Sequence, residues 1–460
     1  MATVPLQFKE LARRNAADEQ LGRVIRKATS HSLNKRAEVV AEMPKWEEIR
    51  RRGHDIRRRS IGNLDMYLER FELRCHERGT ELLWARDAGE ACSQVIEILR
   101  QSNAKHIVKS KSMVTEEIEL NHFLAENGFD VVETDLGEYI IQLAGEKPSH
   151  ITAPAIHKSK EEIGSLFSEK LKIPYTSDPS ELTRYARRLL RKKFIEADVG
   201  ITGANFLVAE SGTIVIVENE GNACLTTSIP RVHIVLAGIE KVTPTLGDAA
   251  VLLDLLPRSA TGQRITSYVS FINGPRRQGE IHGPERVIVI LLDNGRTGIL
   301  RHPEKREVLY CIRCGACMNV CPVYQTVGGH AYGATYPGPI GSVLTPMLQG
   351  LESAKDLPFA SSLCGACSEI CPVKINIHHQ LLYLRGLIVR EGSPSVGERL
   401  LVQSWAMIMR SPFLYSIGSR VARLLLRSGA KIPGWSDNRD LTPVADQTFH
   451  DWWKTQGAGN

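Results

Sequence analysis

Several signatures are missing from this 460-residue chain. There is no G-x-G-x-x-G and no G-x-x-x-x-G-K-[ST], so neither a dinucleotide fingerprint nor a P-loop is present, and no H-E-x-x-H pair offers a metalloprotease zinc site. No organic two-electron cofactor site of a recognised kind is legible, and two-electron chemistry on an organic substrate would fall to a partner. No run approaches the ~18 apolar residues that span a bilayer, so membrane association beyond a peripheral kind is not expected. The first twenty residues mix charges of both signs and lack a continuous apolar core, which argues against a secretory leader and for a cytoplasmic protein. The net charge of +6, from 58 basic and 52 acidic side chains, is too small to argue for nucleic acid.

Cysteine is scarce over most of the chain and dense in one place. Only Cys75, Cys92 and Cys224 lie outside a segment that holds the other seven, from Cys311 to Cys371. Such clustering excludes a dispersed disulfide framework and reads as metal binding. The first run is Cys311-x2-Cys314-x2-Cys317-x3-Cys321-Pro322 and the second is Cys364-x2-Cys367-x3-Cys371-Pro372. This is the spacing of two-cluster bacterial ferredoxins: three thiolates two residues apart wrap one corner of a cubane, and the fourth turns to the other cluster. By that cross-over, Cys311, Cys314, Cys317 and Cys371 bind cluster 1, and Cys321, Cys364 and Cys367 bind cluster 2. Gly315 lets the backbone approach the sulfides, and Pro322 is expected to stop a helix. Four-cysteine zinc sites come as two separated pairs, which makes iron–sulfur the stronger reading. Two clusters are expected, both of the 4Fe-4S kind, the second with only three cysteine ligands.

The position that would complete the second run is Ser361. Three readings stay open: a four-iron cube whose last iron takes water, a serine oxygen or a partner's group; a three-iron cluster; or completion by a distant cysteine such as Cys224. The first leads, although serine is a hard ligand for iron that prefers thiolate. His330, His378 and His379 are further candidates, since histidine replaces thiolate in some clusters; such residues more often support a ligand than serve as one.

Around this segment the chain divides into four parts. Residues 1–65 read as a polar helical arm, 66–300 as an α/β domain with a mainly parallel sheet, 301–390 as a mainly α-helical dicluster ferredoxin-like domain, and 391–460 as a C-terminal helical domain. In the α/β part, helices are expected over 88–101, 115–127, 160–167 and 180–193. Strands are expected over 106–109, 130–133, 139–143, 213–218, 232–237, 268–272 and 287–292. Polar loops at strand ends, 201–205, 210–213 and 218–222, are where α/β sheets bind ligands, and Lys109 and Lys111 would draw a small organic anion. The arginine runs at 50–52 and 57–59 suggest a nucleic-acid or partner arm, but interleaved Glu47, Glu48 and Asp55 favour a solvated helical face docked on the rest of the chain. Near the C-terminus, Leu414, Ile417, Val421, Leu424 and Leu425 have helical spacing, flanked by Arg420, Arg423, Arg427 and Lys431. Packing on the core or a partner subunit is favoured over an anionic membrane surface.

The two cysteine runs, the Gly338-Pro-Ile-Gly341 stretch between them, Ser361-Ser-Leu-Cys364, and the upstream Gly200-Ile-Thr-Gly203-Ala-Asn205 and Glu218-Asn-Glu-Gly221-Asn222 together resemble the lactate utilization protein B family over nearly the whole chain. The three-cysteine second run is characteristic of that family. The resemblance implies an α/β fold similar to sugar-phosphate isomerases and CoA transferases. It also implies a role in oxidising L-lactate to pyruvate within a complex of three proteins, as an electron-transfer subunit rather than a complete enzyme. The motifs alone leave other functions open: service to another organic-acid or glycerol 3-phosphate dehydrogenase complex, or a ligand-binding assembly module.

Overall fold

The run Val287-Ile-Val-Ile-Leu-Leu292 is apolar without alternation, as befits a strand covered on both faces. In the computed structural model, which describes residues 7–392, 396–429 and 444–456, these six residues are fully buried in an interior strand of a sheet. The strands in chain order are β1 (Glu81–Ala85), β2 (Ile107–Lys109), β3 (Val131–Glu133), β4 (Val199–Thr202), β5 (Phe206–Val208), β6 (Thr213–Glu218), β7 (Val232–Gly238), β8 (Val242–Thr243), β9 (Tyr268–Ile272) and β10 (Arg286–Leu292). Six of them form a parallel sheet in the order β1-β10-β7-β4-β2-β3, with Ile288 opposite Ile234 and Ile290 opposite Leu236. A smaller sheet, β8-β5-β6-β9, mixes antiparallel and parallel pairs. The chain leaves β2 toward β3 on one side and β4 toward β7 on the other. The crevice between the ends of β2 and β4 is therefore a topological switch point, where α/β sheets bind ligands.

The helices expected over 88–101, 160–167 and 180–193 are present as Ala88–Gln101, Lys160–Leu171 and Pro179–Glu196. Two expectations need correction. Residues 139–143 are helical, within Leu136–Ala144, because both ends of that helix are encoded: Asp135 caps the N–H of Glu138, and Gly145 takes the left-handed conformation after it. The helix expected over 115–127 is two, Met113–Glu117 and Leu120–Glu126, broken where Glu119 turns left-handed at φ 52°. The break lets Leu120 and Leu124 enter the core while Glu117 turns toward Arg296.

The chain forms two compact units, Met1–Ile388 and Val389–Asn460. Within the first, four helices precede the sheet: Phe8–Ala16, Glu19–Ala41, Trp46–Gly62 and Leu64–Glu77. The third carries both arginine runs, and the face bearing Arg50, Gly53, His54 and Arg57 is turned inward rather than solvated. Gly53 sits so close to Leu255 that a Cβ there would come within 2.4 Å of its side chain. The second unit has helices Val396–Arg410, Pro412–Arg427 and Phe449–Gln456. Its stripe of Leu414, Ile417, Val421, Leu424 and Leu425 is exposed; Lys431 lies outside the described residues. No helix among the described residues is long and apolar enough to cross a membrane.

Candidate iron–sulfur centre and the adjoining cavity

The two cysteine runs fold alike. Arg313 and Leu363, each just before a cysteine, are left-handed at φ 61° and 56°, and Gly315 and Gly365, just after it, are left-handed at 75° and 82°. Alternation of this kind aims successive backbone N–H groups into a concavity suited to anionic sulfur. The Ala316 and Ala366 N–H groups accordingly donate to Cys314 and Cys364. Arg313 donates to Cys311 Sγ at 3.4 Å and Ile375 to Cys371 Sγ at 3.3 Å. Val323 and Tyr324 donate to Cys321. Pro322 does more than stop a helix: it ends the short turn Ala316–Asn319 and occupies the first position of the next helix, Pro322–Val327, where a missing N–H costs nothing.

Cys311, Cys314, Cys317 and Cys371 line one small cavity, walled otherwise by aliphatic side chains such as Ile340 and Ile377. Burial pushes the Cys314 thiol up, and Cys371 and Cys311 push it further. Cys367 is raised to about 11 by burial and then by Cys321, while Cys321 has Cys364 as its charged neighbour. Cys371 thus shares the cavity of the first set, Cys311, Cys314 and Cys317, and Cys321 stands near Cys364 and Cys367, while Cys317 also feels Cys367 across the two groups. The first set is nearly dry, whereas Cys364 is exposed. There the Ala366 N–H and the Ser362 hydroxyl lower the thiol below its ordinary value despite some burial.

A metal that binds such buried thiols must displace their protons. Among the described residues, the group of three or more His, Cys, Asp or Glu whose ligand atoms all lie within 4.8 Å of one another is Glu146, His157 and His330. The other candidate ligands have partners of their own. Ser361 Oγ accepts from the Leu363 N–H at 3.1 Å. His378 Nδ1 meets Ser368 Oγ at 2.7 Å, and its ring lies tilted against that of His379, 4.5 Å between centres. His330 Nε2 bonds the Lys147 carbonyl, and the exposed Cys224 sits beside Glu218.

What sequence reasoning missed is the clamp around this centre. Arg50 donates to the Cys371 carbonyl at 2.8 and 3.1 Å, and His54 Nδ1 lies 3.0 Å from the Val373 carbonyl. Arg57, 1% exposed, reaches the carbonyls of Tyr310 (3.2 Å), Leu309 (3.0 Å), Val242 (3.1 Å) and Glu240. One helix thereby ties together the chain entering Cys311, the chain leaving Cys371 and the sheet. The signal was present: Arg50, His54 and Arg57 recur at i, i+4 and i+7, a single helical face.

A second network links this centre to the α/β sheet. Arg296 pairs bidentately with Glu117 (2.8 and 2.8 Å) and with Glu240 (2.5 Å), and Glu240 also meets Arg313 at 3.3 Å. Burial alone would raise the Glu240 carboxyl, but Arg296, Arg313 and Lys241 outweigh it and hold it at about 2. Glu240 is therefore a fixed anion.

Above this network lies a cavity of about 270 Å³ lined by Ser110–Ser112 after β2, Gly203–Asn205 after β4, and Lys241, Arg313 and Tyr336. Gly203 is required here, since a Cβ would meet Ser112 Oγ at 2.5 Å. Burial lowers Lys241 to about 8, with Arg313 adding to the effect against Glu240. Of the two lysines after β2, Lys109 is spent internally on Glu133 (2.7 Å) and Glu116 (3.1 Å), so it is not available to a ligand, whereas Lys111 lines the cavity.

Comparison with known proteins agrees with this architecture. Residues 68–292 match the LUD domain, 307–375 the 4Fe-4S dicluster domain, and 382–458 the C-terminal domain of lactate utilisation protein B. The chain is 44% identical to lactate utilization protein B of Bacillus velezensis over 459 residues, covering 97% of this chain and 96% of the relative. It is 46% identical to that of Bacillus cytotoxicus (94% and 93% covered) and 43% identical to that of Bacillus subtilis strain 168 (97% and 95% covered). With a mixed α/β domain built on a parallel sheet, a 4Fe-4S dicluster domain and near full-length identity of this order, the chain belongs to the lactate utilization protein B family.

Proposed function

We propose that this protein is the iron–sulfur electron-transfer subunit of a cytoplasmic complex that oxidises L-lactate to pyruvate and so allows growth on lactate. In this reading Cys311, Cys314, Cys317 and Cys371 hold one 4Fe-4S cluster. Cys321, Cys364 and Cys367 hold a second, whose remaining iron takes a ligand other than cysteine. Each cluster supplies reversible one-electron chemistry when bound. The residues contribute N–H donors to the sulfurs, a dry aliphatic wall around the first set, and an opening to solvent at Cys364 where a partner subunit can approach. The observation that carries the reading is the gathering of seven cysteines into two sets across the two runs, on a chain whose relatives are named for lactate utilisation. The four-part division at residues 65, 300 and 390, and an α/β fold similar to sugar-phosphate isomerases and CoA transferases, belong to the same proposal.

The test separates a carrier from a complete enzyme. Purified anaerobically and mixed with L-lactate and a dye acceptor, the chain alone should not turn over. After reduction with dithionite it should pass electrons to the dye in stoichiometric amount. A deletion strain should lose growth on L-lactate and regain it with the parent gene but not with Cys321→Ser. Sustained turnover by the chain alone would replace the carrier role with a catalytic one.

A further inference from the structure

The cavity beside the cysteine centre has an unbalanced inventory of hydrogen bonds. Its acidic wall is already satisfied. Glu218 accepts from the N–H groups of Ala223 and Cys224, both at 2.6 Å, and Glu220 from that of Leu136 at 3.1 Å. Its basic side is not. Lys111 Nζ is buried without a hydrogen-bond partner, its nearest carboxylate oxygen being Glu138 Oε1 at 3.6 Å, and Arg313, 8% exposed, has a buried NH1 with none. Buried donors are almost always paired, and Lys111 Nζ and Arg313 NH1, both without a hydrogen bond at one cavity that Lys241 also lines, can each donate to an anion there. A metal cation would find the carboxylates engaged and the ammonium and guanidinium groups repelling it.

The shape narrows the anion. The cavity lies at the switch point between β2 and β4, with the Ser110, Ser112 and Thr152 side chains on its lining. These neutral groups suit an oxygen next to a carboxylate. No glycine-rich phosphate loop is present in the sequence.

We propose that this cavity binds a small 2-hydroxy or 2-oxo carboxylate through Lys111, Lys241 and Arg313, and that its occupancy is sensed at the Cys311 set. Arg313 is the link. Its guanidinium edges the cavity and lies over Tyr336, 4.7 Å from the ring centre, while the Arg313 backbone N–H donates to Cys311 Sγ and the guanidinium charge acts on the same thiol. An anion on the guanidinium withdraws part of the positive field that favours added negative charge at that sulfur. The ligand therefore binds the oxidised protein more tightly than the reduced one, and by reciprocity it lowers the reduction potential of the centre. A tenfold affinity ratio corresponds to about 59 mV for a one-electron couple. The choice of ligand and the coupling both rest on the proposed function above; the anion site itself rests on the cavity lining.

The experiment is equilibrium dialysis of the iron-loaded full chain against labelled L-lactate, pyruvate and inorganic phosphate. A redox titration followed by EPR, with and without saturating pyruvate, accompanies it, and iron is assayed in every sample. Lys111→Met lies away from the cysteine loops and should weaken carboxylate binding by at least ~10-fold, the loss of one charged hydrogen bond, while leaving iron content unchanged. Arg313→Lys should abolish most of the potential shift. No carboxylate binding by fully iron-loaded protein would overturn the site while leaving the electron-transfer role intact. Phosphate bound as tightly as pyruvate would overturn the carboxylate assignment, and binding indifferent to Lys111→Met would overturn the location. Binding without any change in potential would overturn the coupling. Protein lacking iron would instead sink the cluster reading, which the iron assay reports separately.

Discussion

Arg57→Met tests whether the arginine-rich helix holds the cysteine centre or merely covers it. Methionine keeps the length and the aliphatic contact of the side chain but removes all its donors. Four carbonyls, those of Glu240, Val242, Leu309 and Tyr310, would then face a buried apolar group. A hydrogen bond from a charged donor contributes about 1.5–3 kcal/mol. Donors on one guanidinium do not add fully, so the loss is set at about 3–5 kcal/mol, the range for stranding one partner of a buried polar cluster. The unit Met1–Ile388 has an unfolding entropy of roughly 0.8 kcal/mol/K from average per-residue values, so the midpoint should fall by about 4–6 °C. Iron retention should fall with it, because two of the carbonyls lie immediately before Cys311. Arg58→Met is the control: Arg58 is exposed and meets only Asp55, at 3.3 Å, so its removal should shift the midpoint by less than ~1 °C. Thermal unfolding by circular dichroism with parallel iron assay decides the matter. Equal midpoints for the two variants would refute the clamp.

Three further outcomes follow from the geometry. Burial holds Glu138 protonated up to about 8 in the folded chain, against an ordinary value near 4.5. Between those values the folded state keeps a proton that the unfolded state has shed, so this group's contribution falls as pH rises. Glu138→Gln should therefore gain about 1–3 kcal/mol over the parent at pH 8.5 and much less at pH 5 in urea unfolding; parallel pH profiles would contradict this. Gly315→Ala should destabilise more than Gly365→Ala. Both are left-handed, but an added Cβ at Gly315 meets His150 at 3.1 Å while at Gly365 it meets nothing; comparing iron retention after gel filtration checks the order. Ser361→Cys should supply the missing thiolate of the second set and make its irons spectroscopically more alike, read by Mössbauer spectroscopy; an unchanged spectrum would exclude Ser361's position from the cluster edge.

The parts of this fold that were legible in sequence are the ones governed by short-range rules. The cysteine spacings and the unbroken aliphatic run of β10 declare themselves within a dozen residues. The helix at Leu136–Ala144 was misread because its Ile140-Ile141 pair looks like a strand core, although Asp135 and Gly145 mark both of its ends. The clamp was harder to see. Arg50 and the Cys371 carbonyl it grips are 321 positions apart, and a run of arginines looks solvated until the chain folds against it. Likewise, Lys109 and Lys111 are indistinguishable in sequence; only β3 and the helix after β2 decide that Glu133 and Glu116 occupy the first, while the second lines the cavity with Glu138 3.6 Å away and no hydrogen bond.

The central claim is that the seven cysteines hold two four-iron clusters. Iron and acid-labile sulfide content together with Mössbauer spectra, measured on anaerobically purified protein, test it most directly. The account predicts about eight irons and eight sulfides per chain, with one iron site distinct from the rest. About seven irons with an oxidised three-iron signal would contradict the second four-iron cluster, and zinc in place of iron would contradict the whole account.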